Sequence, residues 1–394
     1  MRLSLILRCV VVLVLGIGTW ALGLWQRQRL EAAQPVSTVR AVWPTPASVG
    51  SGSWELEAKG GIPMPLDTLA AHASNLVAMP SDSPAAMMAF WFAGDRESAP
   101  NVQIAASQWD RVSQQWAPAR FVVNRHVMGQ KLGYGLRRLG NPVGWLDGDG
   151  RIHLFVVATG WGGWAASRVL QLRQNSASNA LPDLEFEPVR VLPLSWLWNI
   201  SYLVRNAPLS LADGGMVLPV HFELGLKHAS ALHFDAKGTY LGRVRISAQR
   251  DRLQPTFAMQ SPTQWWAFMR VQRENGKIAA SRTEDAGRHW EDQPDLVLDN
   301  PDAAVASLGL APNRMVMAFN PSSNSRTALD LGESANGQNW SVVAAVENGA
   351  GSEEFSYPAM AWSDGRLWVS YTADRKHIQW RRFIPSAAGV RGTP

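Results

Sequence analysis

The chain has 394 residues, 46% of them apolar, a formal net charge of +5 and one cysteine. That length allows two or three domains or one large all-β domain, and because the cysteine is Cys9, the body of the protein has neither a disulfide framework nor thiol chemistry. Arg2, Arg8, Arg27, Arg29 and Arg40 against Glu31 alone give +4 over the first forty residues, leaving +1 for the rest. A nearly neutral body without a Lys/Arg run gives no support to a nucleic-acid partner.

The first element in chain order is CVVVLVLGIGTWALGLW, Cys9 to Trp25, which carries no charge and is bracketed by Arg8 and Arg27. It is at the short end for a membrane span and long for a signal-peptide core. Residues 1–29 therefore read as an uncleaved anchor that makes the membrane a partner and holds the body in the periplasm or extracellular space. The alternative is a signal peptide cut near Ala32 or Ala33, which would release a secreted protein. Residues 30–52, rich in Ala, Pro, Ser and Gly, read as a flexible tether.

Beyond the tether one hairpin signature recurs: an apolar strand, a polar turn, then a more hydrophobic strand. Copies begin at Leu76, Val143, Leu209, Thr256, Ser307 and Ala359. Six units of about 50 residues, with further strand pairs such as ALHFDAKGTYLGRVRI between them, predict four-stranded blades. The expected fold is all-β, a single six-bladed β-propeller over residues 53–385 with a disordered tail at 386–394. Its functional centre is expected at the axial mouth, where the loops into the innermost strands converge. Nineteen Trp against five Tyr fit either repeated strand anchors or sugar-facing platforms.

Two turns, TEDAGRHW from Thr283 and ESANGQNW from Glu333, share a Gly three residues before a Trp. In the first, Asp285 can bond its own backbone, Gly287 supplies positive φ and Trp290 anchors the next strand. In the second, Ala335 stands where the Asp is expected. These boxes read as scaffold at the corner between third and fourth strands.

With these Asp boxes the chain resembles the sialidase (neuraminidase) superfamily over nearly all of residues 60–380. Enzymes of that family grip the substrate carboxylate with three arginines, protonate the leaving oxygen with an Asp on a loop and attack with a Tyr paired to a Glu; they are the Tyr-nucleophile exception among glycosidases. The resemblance places the second arginine at Arg270 in QWWAFMR, the third at Arg326 in NPSSNSRTALDL and the nucleophile at Tyr357 in FSYPAMAW. His72, in AHASNL, stands at the first arginine's position, and Gln254, in LQPTF, at that of the Glu. Glutamine can orient a phenol but cannot take its proton. The acid position falls in WFAGDRESAPNV, with Glu97 the candidate and Asp95 second.

Four residues of the third unit are further candidates: His221 and Glu223 in PVHFELGLKH, and Arg205 and Asn206 in NISYLVRNAPL. Glu223 could replace the missing base and Arg205 the missing arginine, or the set could be a buried ion pair between blades. Trp161 and Trp164 in GWGGWA could stack on a sugar or close a blade. The spacings give no metal signature, and no cofactor is expected. The resemblance implies an exo-glycosidase acting on a terminal acidic sugar, sialic acid or a related acid, with an acidic glycan as partner; the alternative is a propeller that binds a glycan or a protein without cleaving it.

Overall fold

The computed structural model describes residues 2–32, 39–44, 53–176, 178–195, 199–273 and 276–386. Six antiparallel sheets follow one another along the chain and form the blades of a six-bladed propeller. The first five occupy residues 70–123, 138–191, 202–245, 252–293 and 306–348. The sixth is built from Phe355–Ser363, Arg366–Ala373 and His377–Pro385, and its fourth strand comes from the other end of the chain. Trp54–Gly61 pairs with His377–Pro385, Trp54 opposite Pro385 and Gly61 opposite Gln379, so this blade closes the ring. The hairpin starts read from the sequence all fall on paired first and second strands.

The second strands are apolar without alternation because blades cover both of their faces. Ala85–Gly94 and Ile152–Thr159 are buried along their whole length. Phe90, Phe155, Phe234, Phe268 and Phe319, from the first to the fifth blade, are all fully buried. Tryptophan fills the joint between the first and sixth blades, where the Trp109 ring lies 5.1 Å from Trp368 and 5.0 Å from Trp380. Most of the tryptophan excess therefore serves packing between repeats.

Both box turns sit at the expected corner. Thr283 Oγ1 donates to Asp285 Oδ1 at 2.9 Å and accepts from the Gly287 amide at 3.0 Å, Asp285 Oδ1 accepts from the amides of Arg288 and His289, and Trp290 Nε1 donates to Gly287 O. The second turn corrects the sequence reading. Asn336, not the residue at 335, supplies the side-chain oxygen, accepting from the amides of Gln338 and Asn339 at 3.0 and 2.8 Å. Asn and Asp present the same acceptor geometry to a turn, and here it lies one place nearer the Gly.

The N-terminal helix spans Arg2–Ala32, with the side chains of Ile6 to Leu22 exposed. Among the described residues no helix is long and apolar enough to cross a membrane, and the anchor remains a proposal. Part of the expected tether docks. Ala41 is buried, its amide donates to Pro262 O, and it bridges to Leu211. Ala33, the rest of the tether at 34–38 and 45–52, and the tail at 387–394 lie outside the described residues. One helix went unforeseen: Arg125–Leu132, capped by Asn124, whose side chain accepts from the His126 and Val127 amides, and by left-handed Gly133.

Gly287 has φ +86, and an added Cβ would lie 2.7 Å from the Trp265 ring. Gly287→Ala is therefore expected to destabilise the propeller by about 1–3 kcal/mol, read as a fall in the urea midpoint at unchanged slope.

Candidate functional site

The innermost strands are bent in a repeated way. Pairing slips between His72 and Asn75, Gly140 and Val143, Leu253 and Thr256, and Ser356 and Ala359. Each bulge holds a residue at positive φ, namely Ala73, Asn141, Gln254 and Tyr357, a conformation that costs about 1–3 kcal/mol for a residue with a side chain and gathers at functional sites. In three of the four the next residue is proline. The recurring Asn-Pro, Gln-Pro and Tyr-Pro dipeptides at 141, 254 and 357 were a sequence signal for this axial device.

Around the axis the bulges bring Gln254 and Tyr357 together. Arg270 Nη1 donates to Gln254 Oε1 at 3.3 Å, which fixes the amide orientation, so Gln254 Nε2 donates to the Tyr357 hydroxyl oxygen at 3.3 Å. The amide thus occupies a lone pair of the phenol and cannot accept its proton. His72 packs against Tyr357 with ring centroids 4.3 Å apart. It is 2% exposed, and burial first, then the charges of Arg375, Arg205 and Arg326, hold its imidazole well below the usual histidine range. A neutral buried ring is placed to support Tyr357, and it brings no charge to a carboxylate.

Arg205 is buried against Tyr357, which with Gln254 and Arg270 forms the axial cluster, or cup. Its Nη1 donates to Ser74 O at 3.1 Å and its Nη2 to Pro358 O at 2.7 Å, and its guanidinium carbon sits 5.0 Å from the Tyr357 ring centroid. It is 1% exposed, and burial pushes its pKa down to about 10. Asn206 beside it donates to Gln254 O and Pro255 O. Both residues are buried and spend these donors on backbone carbonyls beside Tyr357 and Gln254.

A charged arc rises on the same end of the blades, where inner strands begin and second strands finish. Arg270 Nε bonds Asp302, and Arg326 Nη1 donates to Glu354 Oε1 at 3.2 Å while its Nη2 reaches Asp302 O. Arg375 Nε donates to Glu354 Oε2 at 3.1 Å and its Nη1 to Glu97 Oε2 at 2.5 Å. Burial pushes the Arg270 pKa down, but the Asp302 bond and the charges of Tyr357, Asp302 and Glu223 outweigh it and hold it above the usual arginine value. A cleft of about 620 Å³ opens beside the arc, lined by Arg273, Pro301, Asp302, Asn324 and Arg326 among others.

The other candidates divide. Glu97 joins the arc through Arg375, whereas Asp95 is exposed, its amide accepted by Asn101 Oδ1. Glu223 lies just past the strand Met216–Phe222 and is felt by Arg270 as a charge, whereas the Gln254 amide is what bonds the Tyr357 hydroxyl. His221 is 1% exposed, and burial, then Arg270 and His228, take its pKa to about 3. Trp164 donates to Ser98 Oγ in the Glu97 loop, and Trp161 is 80% exposed with Arg137 over its ring. Among the described residues no three His, Cys, Asp or Glu side chains come together as a metal site. Arg375 and Glu354 were missed because a turn tip and a loop acid carry no local signature.

The sheet order defines a class, the six-bladed β-propellers. Residues 85–369 match the family of the BNR repeat-like domain, and the chain belongs to that family. No curated protein matches it by sequence. Among solved structures it is similar to a Hadza microbial sialidase, at 15% identity and TM-score 0.66, covering 80% of this chain and 66% of that one. It is similar also to a Dyadobacter fermentans protein of unknown function, at 12% and 0.65 over 85% of this chain and 100% of that one. A third is Trypanosoma rangeli sialidase in complex with 2,3-difluorosialic acid as a covalent intermediate, at 13% and 0.62 over 82% and 56%. The chain thus spans about two thirds of the first of these relatives and a little over half of the third.

Two outcomes follow for stability. Arg205→Ala removes the donors from two buried carbonyls and leaves a cavity, so a loss of about 3–5 kcal/mol is expected in denaturant unfolding, whereas Tyr357→Phe costs under about 1 kcal/mol. His221 and His233, the latter taken by burial to about 4, stay neutral in the fold but protonate in the unfolded chain. Their contribution is present above the unfolded histidine pKa of about 6.5 and is lost as pH falls below it, at about 2 kcal/mol for His221 by about pH 5. The urea midpoint is expected to drop between those pH values, and His221→Gln to flatten the drop.

Proposed function

We propose that the axial cup is the binding site for a terminal acidic sugar, sialic acid or a related acid, presented on a glycan outside the cytoplasm, with the N-terminal helix as the tether to the membrane. The observation that carries this is the placement of Arg270 and Arg326 on one arc beside Tyr357. Guanidinium groups bind carboxylates through two parallel hydrogen bonds, and the hydroxyl of a neutral phenol can meet an anionic sugar without repulsion. The structural likeness to sialidases agrees with this choice of ligand.

Two uses of such a cup remain, each with an observation in its favour. Hydrolysis by an exo-glycosidase route is favoured by the positive φ of Tyr357, a strained backbone of the kind that gathers at functional sites, and its hydroxyl would be the nucleophile. Glu97 or Asp95 would then protonate the leaving oxygen and Glu223 take up the phenolic proton. Binding without cleavage is favoured by Gln254, because the group touching the hydroxyl is a donor and not a base.

The experiment is a panel of fluorogenic sialosides and uronides with the wild type, Tyr357→Phe, Glu223→Gln and Arg270→Lys, alongside calorimetry with the free acids. Arg270→Lys is expected to weaken acid binding by about 1–3 kcal/mol. Tyr357→Phe should keep binding and lose any turnover. Binding by a wild type that cleaves nothing selects the second use, and full turnover in Tyr357→Phe removes the nucleophile. A wild type that neither binds nor cleaves any acidic sugar overturns the proposal.

A further inference from the structure

Arg375 stands at the tip of the hairpin joining Arg366–Ala373 to His377–Pro385, where two successive residues with side chains, Asp374 and Arg375, have φ of 52° and 54°. A two-residue turn of that kind favours Gly, Asn or Asp, and an arginine there is unusual. The tip is strapped down on both sides of the ring closure. Asp374 N donates to Glu354 O at 2.8 Å, Asp374 Oδ1 accepts from the Glu354 amide at 2.9 Å, and the Arg375 carbonyl accepts from Ala71 N at 3.2 Å. The guanidinium is consequently held beside the cup while 46% of the side chain remains exposed.

Two blades aim at one point. Glu354 Oε1 receives Arg326 Nη1 at 3.2 Å and Arg375 Nη2 at 3.4 Å, and Oε2 receives Arg375 Nε at 3.1 Å. Burial of Glu354 favours its neutral form, yet the bond and charge of Arg375, with Ser356 and Arg326, hold its carboxyl below the usual range. The chain has built a seat for a carboxylate and filled it with its own. Tyr357 is among the groups whose charge Arg375 senses, so the seat adjoins the phenol.

We propose that Arg375 is a ligand-binding residue, forming with Arg326 a two-bladed carboxylate seat that an acidic sugar takes over from Glu354. This rests on the acidic-sugar reading above and adds the residue that supplies the second fork of the grip. Arg375 provides the cation on the side of the cup where the buried His72 cannot, and Glu354 acts as an internal competitor that keeps both arginines oriented until the ligand arrives. The ligand class is a sugar carrying a free carboxylate, because an ester or an amide is neutral and lacks the two charged oxygens that paired guanidiniums bind.

The test compares sialic acid with its methyl ester by calorimetry on the full chain in detergent. The wild type is expected to prefer the acid by about tenfold or more. Arg375→Gln should cut that ratio severalfold, the remainder resting on Arg270 and Arg326, and Glu354→Gln should raise acid affinity severalfold by removing the competitor, while the ester's affinity stays the same in all variants. Arg375→Lys keeps the charge and loses the fork, so it reads the same ratio if Arg375→Gln does not fold. A wild type that discriminates, with both Arg375 variants discriminating equally well, overturns the role of Arg375 and leaves the acidic-sugar reading standing. A wild type that binds neither form, or both alike, overturns the carboxylate seat, and the acidic-sugar reading falls with it only when every acid of the panel above also fails to bind.

Discussion

A propeller is a ring of sheets that must be held closed around its axis, and here a single buried guanidinium links three of the blades. Arg205 comes from the third blade and donates across the axis to Ser74 O in the first blade and Pro358 O in the sixth. Those two blades meet where the ring closes, so one side chain ties the closure to the opposite wall. Burying a cation without a carboxylate is costly. The cost is reduced by two strong acceptors and by the face of the Tyr357 ring, although the Arg205 Nε is left without a partner. The carbonyls it needs are free only because the bulges at 73 and 357 interrupt the ladder, so the strut and the strained residues depend on one another.

The same bulges divide the molecule into a scaffold end and a working end. Strands alternate in direction, which sends the Asp285 and Asn336 turns to one end and the loops bearing Glu97, Asp302, Glu354 and Arg375 to the other. At the working end each arginine of the arc already has a carboxylate: Asp302 for Arg270, Glu354 for Arg326, Glu354 and Glu97 for Arg375. Three cations against three anions leave little net field for long-range steering of an anion. Under the proposed function, recognition of an anion would depend on short-range geometry, two-pronged bonds from partly buried arginines, more than on net charge.

The pairing of Tyr357 with Gln254 is the chemical crux. Because Arg270 holds the amide oxygen, the amide nitrogen is turned to the phenol and the hydrogen-bond direction is settled by the network itself. The arrangement keeps the tyrosine oriented toward the cup and deprives it of an adjacent base. Glu223, on the neighbouring blade, reaches this network only as a charge sensed by Arg270.

Much of this was legible in the residues. The six hairpin spacings follow from the apolar demands of second strands buried on both faces, so blade number and register are local properties of the chain. Asp285, Gly287 and Trp290 announced their turn because turn chemistry is local as well. The meeting of Arg270, Gln254 and Tyr357 was readable through resemblance to a known family. Tertiary structure alone decided the rest. Glu97 and Arg375 are 278 positions apart, and Arg205 bonds carbonyls 131 and 153 positions away. Whether Arg205 meets a ligand or a buried carbonyl, and whether His72 is exposed or sealed under Tyr357, depends on how six blades close around an axis, and no local pattern encodes that closure.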